Sequence, residues 1–461
     1  MTDKKVDLLV LGAGPGGYVC AIRAAKQGVN TLIVEEHKPG GTCLNVGCIP
    51  SKAMIHAADE FYKACIFGSE NAIGISAGNA KINFSKTLEW KDNIVKKLNS
   101  GVSGLLKRAG AEALQGKARF LDGKTVEVLS SDGPVKVHAI NIVIATGSEP
   151  IEIPSLPFGG NVMSSTEALD LSEVPESLAV VGGGYIGLEI GTAFAKLGSR
   201  VIVVESADRI LPQYDAALTA PVAARLSELN IELMLNARAK ELSGNNLEIQ
   251  LQDGSTRSLA ASKVLVTVGR KPRGDYGLEE LSLTMDGSCI SIDDKCQTSM
   301  RGVYAVGDVT GEPMLAHRAM AQGEVVADII AGGSNVFDKH CIPAVCFTDP
   351  EIVTAGLSPD EAAEQGIEVA VGQFPLQASG RAMTMEREDG FIRVVARKDN
   401  GVVVGVQAVG SQVSELSAAF SIAIEMGARA EDIAATVHAH PTISEGFQEA
   451  CLSLLGHGLH I

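Results

Sequence analysis

The chain repeats itself. An apolar run at 6–11 ends in Gly12-Ala13-Gly14-Pro15-Gly16-Gly17, passes through a helical stretch to Lys26-Gln27-Gly28 and a second apolar run at 31–34, and stops on Glu35. The same order returns at 178–181, Gly182-Gly183-Gly184-Tyr185-Ile186-Gly187, Lys196-Leu197-Gly198, 201–204 and Glu205. Gly12/Gly182, Gly14/Gly184, Gly17/Gly187, Gly28/Gly198 and Glu35/Glu205 all share one offset, 182 − 12 = 170. Strand, glycine turn, helix, strand and acid is the order of a dinucleotide-binding βαβ unit. The first glycine makes the turn, the second lets a pyrophosphate approach the backbone, and the third lets helix and strand pack closely. The free N–H groups at the helix start face the phosphates, and the acid suits a ribose 2′-hydroxyl. One such glycine turn is a weak signal, because most glycine turns only connect elements. Two complete copies predict two dinucleotide sites and an α/β fold.

Each copy also closes alike, with Ile142-Val143-Ile144-Ala145-Thr146-Gly147 matching Val264-Leu265-Val266-Thr267-Val268-Gly269. From first to closing glycine the copies span 147 − 12 = 135 and 269 − 182 = 87 residues, so copy one carries 135 − 87 = 48 more. The surplus maps to a segment from Gly40 to about Gly104 with Cys43, Cys48 and two helix-like stretches. Gly159-Gly160 and Gly332-Gly333 read as linkers.

Composition narrows the class. Asp and Glu outnumber Lys and Arg by 55 to 39, a formal charge of −16, which disfavours nucleic acid and anionic membranes as partners. The apolar start breaks too early into glycines for a signal peptide, and 178–198 carries Glu189 and Lys196, poor features for a membrane span. Nine cysteines, an odd number in a long chain, suit reduced and mostly buried thiols in a cytoplasmic protein.

Two cysteine pairs share the spacing C-x4-C. Gly40-Gly41-Thr42-Cys43 leads through Gly47-Cys48-Ile49-Pro50-Ser51-Lys52 into an amphipathic run. Pro50 fits a first helical turn, which places Cys48 at a helix N-terminus, where the dipole favours a thiolate. A redox pair, a half zinc site and two unrelated thiols are all open on spacing alone. No second Cys/His pair follows at zinc-finger spacing, so no metal is expected. Cys341 and Cys346 lack the glycine setting and read as buried strand cysteines running into Thr348-Asp349-Pro350. Cys20, Cys65, Cys289, Cys296 and Cys451 are expected to be buried bystanders.

With both glycine fingerprints, GGTCLNVGCIPSK (40–52) resembles the dithiol flavoprotein disulfide reductases, and the resemblance runs from about residue 5 to the C-terminus. Thr298…Ala305-Val306-Gly307-Asp308 resembles the family's second FAD motif, followed by Met314-Leu315-Ala316-His317. Ala145-Thr146-Gly147-Ser148 resembles the junction between FAD and NAD domains. His438-Ala439-His440-Pro441-Thr442-Ile443-Ser444-Glu445 resembles the His–Glu signature of the interface domain.

The resemblance implies two Rossmann-like domains and a C-terminal α+β dimerisation module. The expected bounds are 1–147 for FAD, 148–270 for NAD, 271–340 for a return to the FAD domain, and 341–461 for the interface. FAD would take Gly12, Gly14, Gly17, Glu35, Gly41, Thr42, Lys52, Thr146, Gly147, Ser148, Asp308, Leu315 and Ala316. NAD would take Gly182, Gly184, Gly187, Glu189, Glu205 and Gly269, with Tyr185 covering the nicotinamide pocket. Cys48 would face the flavin and Cys43 the substrate. His440, oriented by Glu445, would be the acid/base, supplied by the other subunit of a homodimer. Electrons would pass from a dithiol substrate through Cys43 and Cys48 to the flavin and on to NAD.

Wording within the family favours its lipoamide-oxidising members. Glu205 suits the free 2′-hydroxyl of NAD and repels a 2′-phosphate, with Arg209 the first basic residue after it. That argues against the NADPH-dependent alternative of glutathione-reductase type. The LLGHGLHI ending lacks the vicinal cysteines of a mercuric reductase, and the dithiol separates the chain from soluble transhydrogenases. The implied partners are lipoyl domains and the acyltransferase core of 2-oxoacid dehydrogenase complexes, or the glycine cleavage H protein. A pure scaffold would need neither the dithiol nor His440 and Glu445.

Overall fold

A computed structural model describes residues 2–460. The first repeat opens with β1 (Thr2–Leu11), α1 (Pro15–Lys26) and β2 (Thr31–Glu35). β1 lies between β2 and the strand Gly133–Ile144, parallel to both, in the registers Leu9↔Leu32 and Leu9↔Ile142. The chain steps from β1 to β2 on one side and reaches 133–144 on the other, so the carboxyl end of β1 is a topological switch point where such sheets bind ligands. α1 presents Cys20, Ala21 and Ala24, fully buried small side chains that let it lie close to the sheet.

The second repeat copies this down to single hydrogen bonds. The strand Ser177–Val181 lies between Arg200–Val204 and Lys263–Val266, all parallel. Gly12 N–H donates to Val34 O at 2.8 Å and Gly182 N–H to Val204 O at 2.9 Å; Tyr18 N–H and Leu188 N–H bond Gly14 O and Gly184 O at 2.9 and 3.0 Å. A Cβ on Gly17 or Gly187 would collide with the carbonyl oxygen of Gly12 or Gly182, which explains the third glycine of each motif.

Helices α2 (Gly41–Val46), α3 (Cys48–Ile66) and α4 (Phe84–Ala109) fill the surplus of copy one. The expected pair of helical stretches is present, with a six-residue helix before them and an end five residues beyond Gly104. Asn83 caps α4 by accepting from Lys86 N–H, and Gly110 ends it in a left-handed conformation. After the second sheet the chain returns to the first, where Val303–Ala305 pairs with Ile142–Ile144. The helix Ala316–Ile330 then lies against α1.

The C-terminal part is an antiparallel sheet ordered 344–346, 351–356, 403–410, 391–397 and 369–375, with the helix Glu445–Leu454 packed on its edge. One hydrophobic cluster joins Met54 and Ala58 of α3, Phe194 of the second repeat, and Cys346, Ile352 and Val409 of this sheet. Burying a side chain such as Phe194 contributes roughly 1.5–3 kcal/mol, so the cluster ties all three parts together. Among the described residues, no helix is long and apolar enough to cross a membrane.

Three expectations need correction. Gly159-Gly160 sit in a tight turn closed by mutual hydrogen bonds of Gly159 and Val162, immediately before a strand of the second sheet, rather than in a linker. Cys341 precedes the strand, which starts at Ala344, and only Cys346 of that pair is buried. Cys65 is exposed near the end of α3, where the helix outruns the core, and Cys289 is half-buried.

Candidate functional site

A cavity of about 1190 Å³ runs from the first glycine turn to the start of the second-repeat helix Tyr185–Lys196. Gly12, Gly14, Glu35, Gly41, Thr42, Cys43, Cys48, Lys52, Thr146, Gly147, Ser148, Asp308 and Ala316 line it, joined by Tyr185 and Glu189 at its far end. Gly17 and Leu315 are not among the residues that line it. Gly182, Gly184, Gly187, Glu205 and Gly269 lie outside it, on the second sheet's own switch point. His440 and Glu445 are also outside the wall within one chain.

The two acids perform the same local task. Glu35 accepts N–H bonds from Ala13 at 2.8 Å and His37 at 2.9 Å. Glu205 accepts from Gly183 at 2.6 Å and Ala207 at 2.7 Å. Each carboxylate clips the glycine loop to the end of the next strand, and so fixes the turn that would cradle phosphates. Gly41 is pressed so close to this turn that a Cβ on it would stand 2.5 Å from Gly14 Cα. The first turn, the dithiol segment and the start of α1 thus form one narrow backbone cradle.

The cavity wall fits a flavin dinucleotide. The hydroxyls of Thr146 and Tyr276 are buried in it without a sound hydrogen-bond partner in the protein, an arrangement that a polar ligand would relieve. Ser148 Oγ donates to Asp308 Oδ2 at 2.5 Å, and Arg270 Nε donates to Ser148 Oγ at 2.8 Å. Arg270 was missed in the sequence, although it directly follows Gly269; its side chain reaches back over the crossing where 270–272 pairs with 148–150.

Cys43 in α2 and Cys48 at the start of α3 are free thiols on the wall of this cavity. The neighbouring Cys43 thiol and the Lys52 ammonium outweigh burial and the Glu189 charge, lowering Cys48 to about 7, while Cys48 and burial push Cys43 up. Lys52 Nζ lies 2.8 Å from Glu189 Oε2, so α3 meets the second-repeat helix beside the dithiol. Glu189 Oε1 accepts from Phe347 N–H at 2.9 Å, and the Lys52 ammonium sits 4.4 Å from the Phe347 ring centre.

In the C-terminal part, His440 Nδ1 is 2.9 Å from Glu445 Oε1, and Thr442 N–H bonds the other carboxylate oxygen at 2.7 Å. Burial raises the Glu445 pKa, but the Thr442 N–H and His440 outweigh it and hold it below the usual carboxylate value. The carboxylate thereby sets the Nδ1–H tautomer and leaves Nε2 free. The imidazole is 81% exposed, presented outward from the fold. Among the described residues no group of three or more metal-ligating side chains converges.

The family model for pyridine nucleotide-disulphide oxidoreductases matches residues 6–323, and that for their dimerisation domain matches 342–451. The chain is 55% identical to a dihydrolipoyl dehydrogenase of Pseudomonas aeruginosa, covering 99% of both chains. It is 44% identical to that of Geobacillus stearothermophilus over 99% of this chain and 98% of the other. Among solved structures, LpdA of Mycobacterium tuberculosis superimposes with a TM-score of 0.87 at 26% identity, covering 98% of this chain and 99% of that one. The Escherichia coli flavoprotein disulfide reductase RclA, at 24% identity over 96% of this chain and 99% of that one, shares the fold with a TM-score of 0.85. The chain belongs to the pyridine nucleotide-disulphide oxidoreductase family.

Proposed function

We propose that the protein oxidises dihydrolipoamide to lipoamide through Cys43 and Cys48, with FAD in the cavity and NAD+ as the final acceptor. The observation that carries this reading is the thiol pair on the wall of a cavity that joins the two nucleotide units, with the Lys52–Glu189 ion pair at that junction. FAD, held by the first-repeat turn, Glu35, Ser148 and Asp308, would supply the electron relay between the dithiol and NAD. The working division is FAD on 1–147 with 271–340, NAD on 148–270, and dimerisation through 341–461.

The oxidised enzyme carries a Cys43–Cys48 disulfide in this reading. A substrate thiol loses its proton to His440 Nε2 of the partner subunit, and the thiolate attacks Cys43, breaking the Cys43–Cys48 bond. Cys48 leaves as a thiolate, a role its lowered pKa suits. The second substrate sulfur then attacks the mixed disulfide and closes the lipoamide ring, and its proton passes to the departing Cys43 sulfur, which burial favours as a thiol. Glu445 supports the imidazolium throughout. Glu205 gives the NAD site its preference for a free 2′-hydroxyl over a 2′-phosphate, against the glutathione-reductase alternative.

The physiological substrate is the lipoyl group of a carrier domain in a 2-oxoacid dehydrogenase or glycine cleavage complex, met in the cytoplasm. Anaerobic titration of the flavin spectrum tests the reading. Dihydrolipoamide is expected to bleach the flavin, and NAD+ to restore it. An unchanged spectrum would overturn the proposal.

A further inference from the structure

Phe347 belongs to the C-terminal part yet touches both members of the ion pair beside the dithiol. Its N–H donates to Glu189 Oε1 and its ring lies under Lys52 Nζ. Glu189 is 4% exposed, and its two oxygens are thereby both engaged, one by Lys52 and one by Phe347. A charge buried this deeply depends on every partner it has. The neighbours of Phe347 are anchored as well. Cys346 Sγ donates to the Tyr214 hydroxyl at 3.2 Å, and Asp349 is bound by Lys196, Arg225 and Arg387. Residues 346–349 therefore grip the helix Tyr185–Lys196 at Glu189 and again, two turns on, at Lys196.

We propose that Phe347 is a positioning residue for the dithiol: its N–H fixes Glu189 and its ring steadies Lys52, so that the C-terminal module governs how readily Cys48 is held as a thiolate. The groups facing Cys48 are Cys43 from α2, Lys52 from α3, and Tyr185 and Glu189 from the second-repeat helix. Of these only Lys52 carries a positive charge, and Phe347 contacts both Lys52 and its counter-ion. The role deepens the proposed dithiol chemistry and rests on it, while its physical basis, the acidity of Cys48, is measurable without turnover.

The test uses FAD-loaded protein in a Cys43→Ser background, with the pH profile of iodoacetamide capture at Cys48 followed by peptide mass. Phe347→Leu keeps the N–H and removes the ring; Phe347→Tyr keeps both, and Phe347→Met is the second ring-free variant if the leucine variant does not fold. The ring-free protein is expected to move the capture midpoint upward by about half a pH unit, the scale of one partly buried cation–π contact, and the tyrosine variant to restore it. An unmoved midpoint, or a shift that tyrosine does not restore, would overturn the role of Phe347. Dihydrolipoamide-dependent NAD+ reduction, measured separately on protein with both cysteines, fails on its own if the proposed function is wrong.

Discussion

Lys196 Nζ lies 2.7 Å from Asp349 Oδ2, a bond between the second nucleotide unit and the C-terminal module. The same ammonium reaches Asp59 of α3 at 2.5 Å. Lys52–Glu189 and Asp59–Lys196 are therefore two rungs between the same two helices, seven residues apart on each and with the charges exchanged. Arg225 and Arg387 complete the surroundings of Asp349 at 3.1 and 2.5 Å. The arrangement locks the position of α3, and with it Cys48, against both neighbouring units.

Burial raises the Asp349 carboxyl, but Lys196, Arg387 and Arg225 outweigh it and hold it below the usual carboxylate range. Its stabilising contribution is thus present above about pH 4 and is lost as pH falls toward the folded value. Asp349→Asn leaves three cations facing a neutral group and is expected to cost about 3–5 kcal/mol near neutrality. Denaturant unfolding at a series of pH values should show the wild-type advantage shrinking below pH 4. A constant advantage down to strong acid would contradict the assignment.

Cys48→Ser removes the sulfur that leaves during exchange, while the glycine turn, Glu35 and Asp308 are untouched. Turnover of dihydrolipoamide should vanish, and the purified protein should keep one FAD per chain by absorbance. Loss of FAD together with activity would mean that the residue is structural.

Removing the carboxylate behind the imidazole separates proton transfer from binding. Glu445→Gln and His440→Gln are each expected to lower kcat with dihydrolipoamide by roughly 10²–10⁴, the range for a positioned acid/base. FAD content should not change, because neither residue lines the cavity of its own chain. Steady-state kinetics with a dimer check by light scattering measures both.

Glu205→Gln keeps a side chain of the same shape but removes its charge. One of the two backbone donors at Gly183 and Ala207 then meets an amide nitrogen instead of an oxygen. The ratio of kcat/KM for NAD+ over NADP+ should fall by about 10-fold or more, the scale of a hydrogen bond to a charged group. An unchanged ratio would remove Glu205 from cofactor selection.

The nucleotide units were legible in the sequence because glycines such as Gly17 and Gly187 answer to backbone contacts that no other residue meets. Cys43 and Cys48 were legible for a related reason, since Gly41, Gly47 and Pro50 shape the segment locally. Phe347, Arg270 and the Asp349 cluster left no such trace. Their partners lie far away in sequence, as in the 349 − 196 = 153 residues between Asp349 and Lys196, and single charges or rings carry no pattern. Cys65 misled because burial was inferred from residue type, while its helix extends past the core.

In the proposed relay, electrons run from dihydrolipoamide through the dithiol to NAD+. The most direct test is a parallel assay of NAD+ reduction by dihydrolipoamide and NADPH oxidation by glutathione disulfide on the same preparation. Rapid NADH formation and negligible NADPH consumption are expected. Faster NADPH-dependent turnover would contradict the relay.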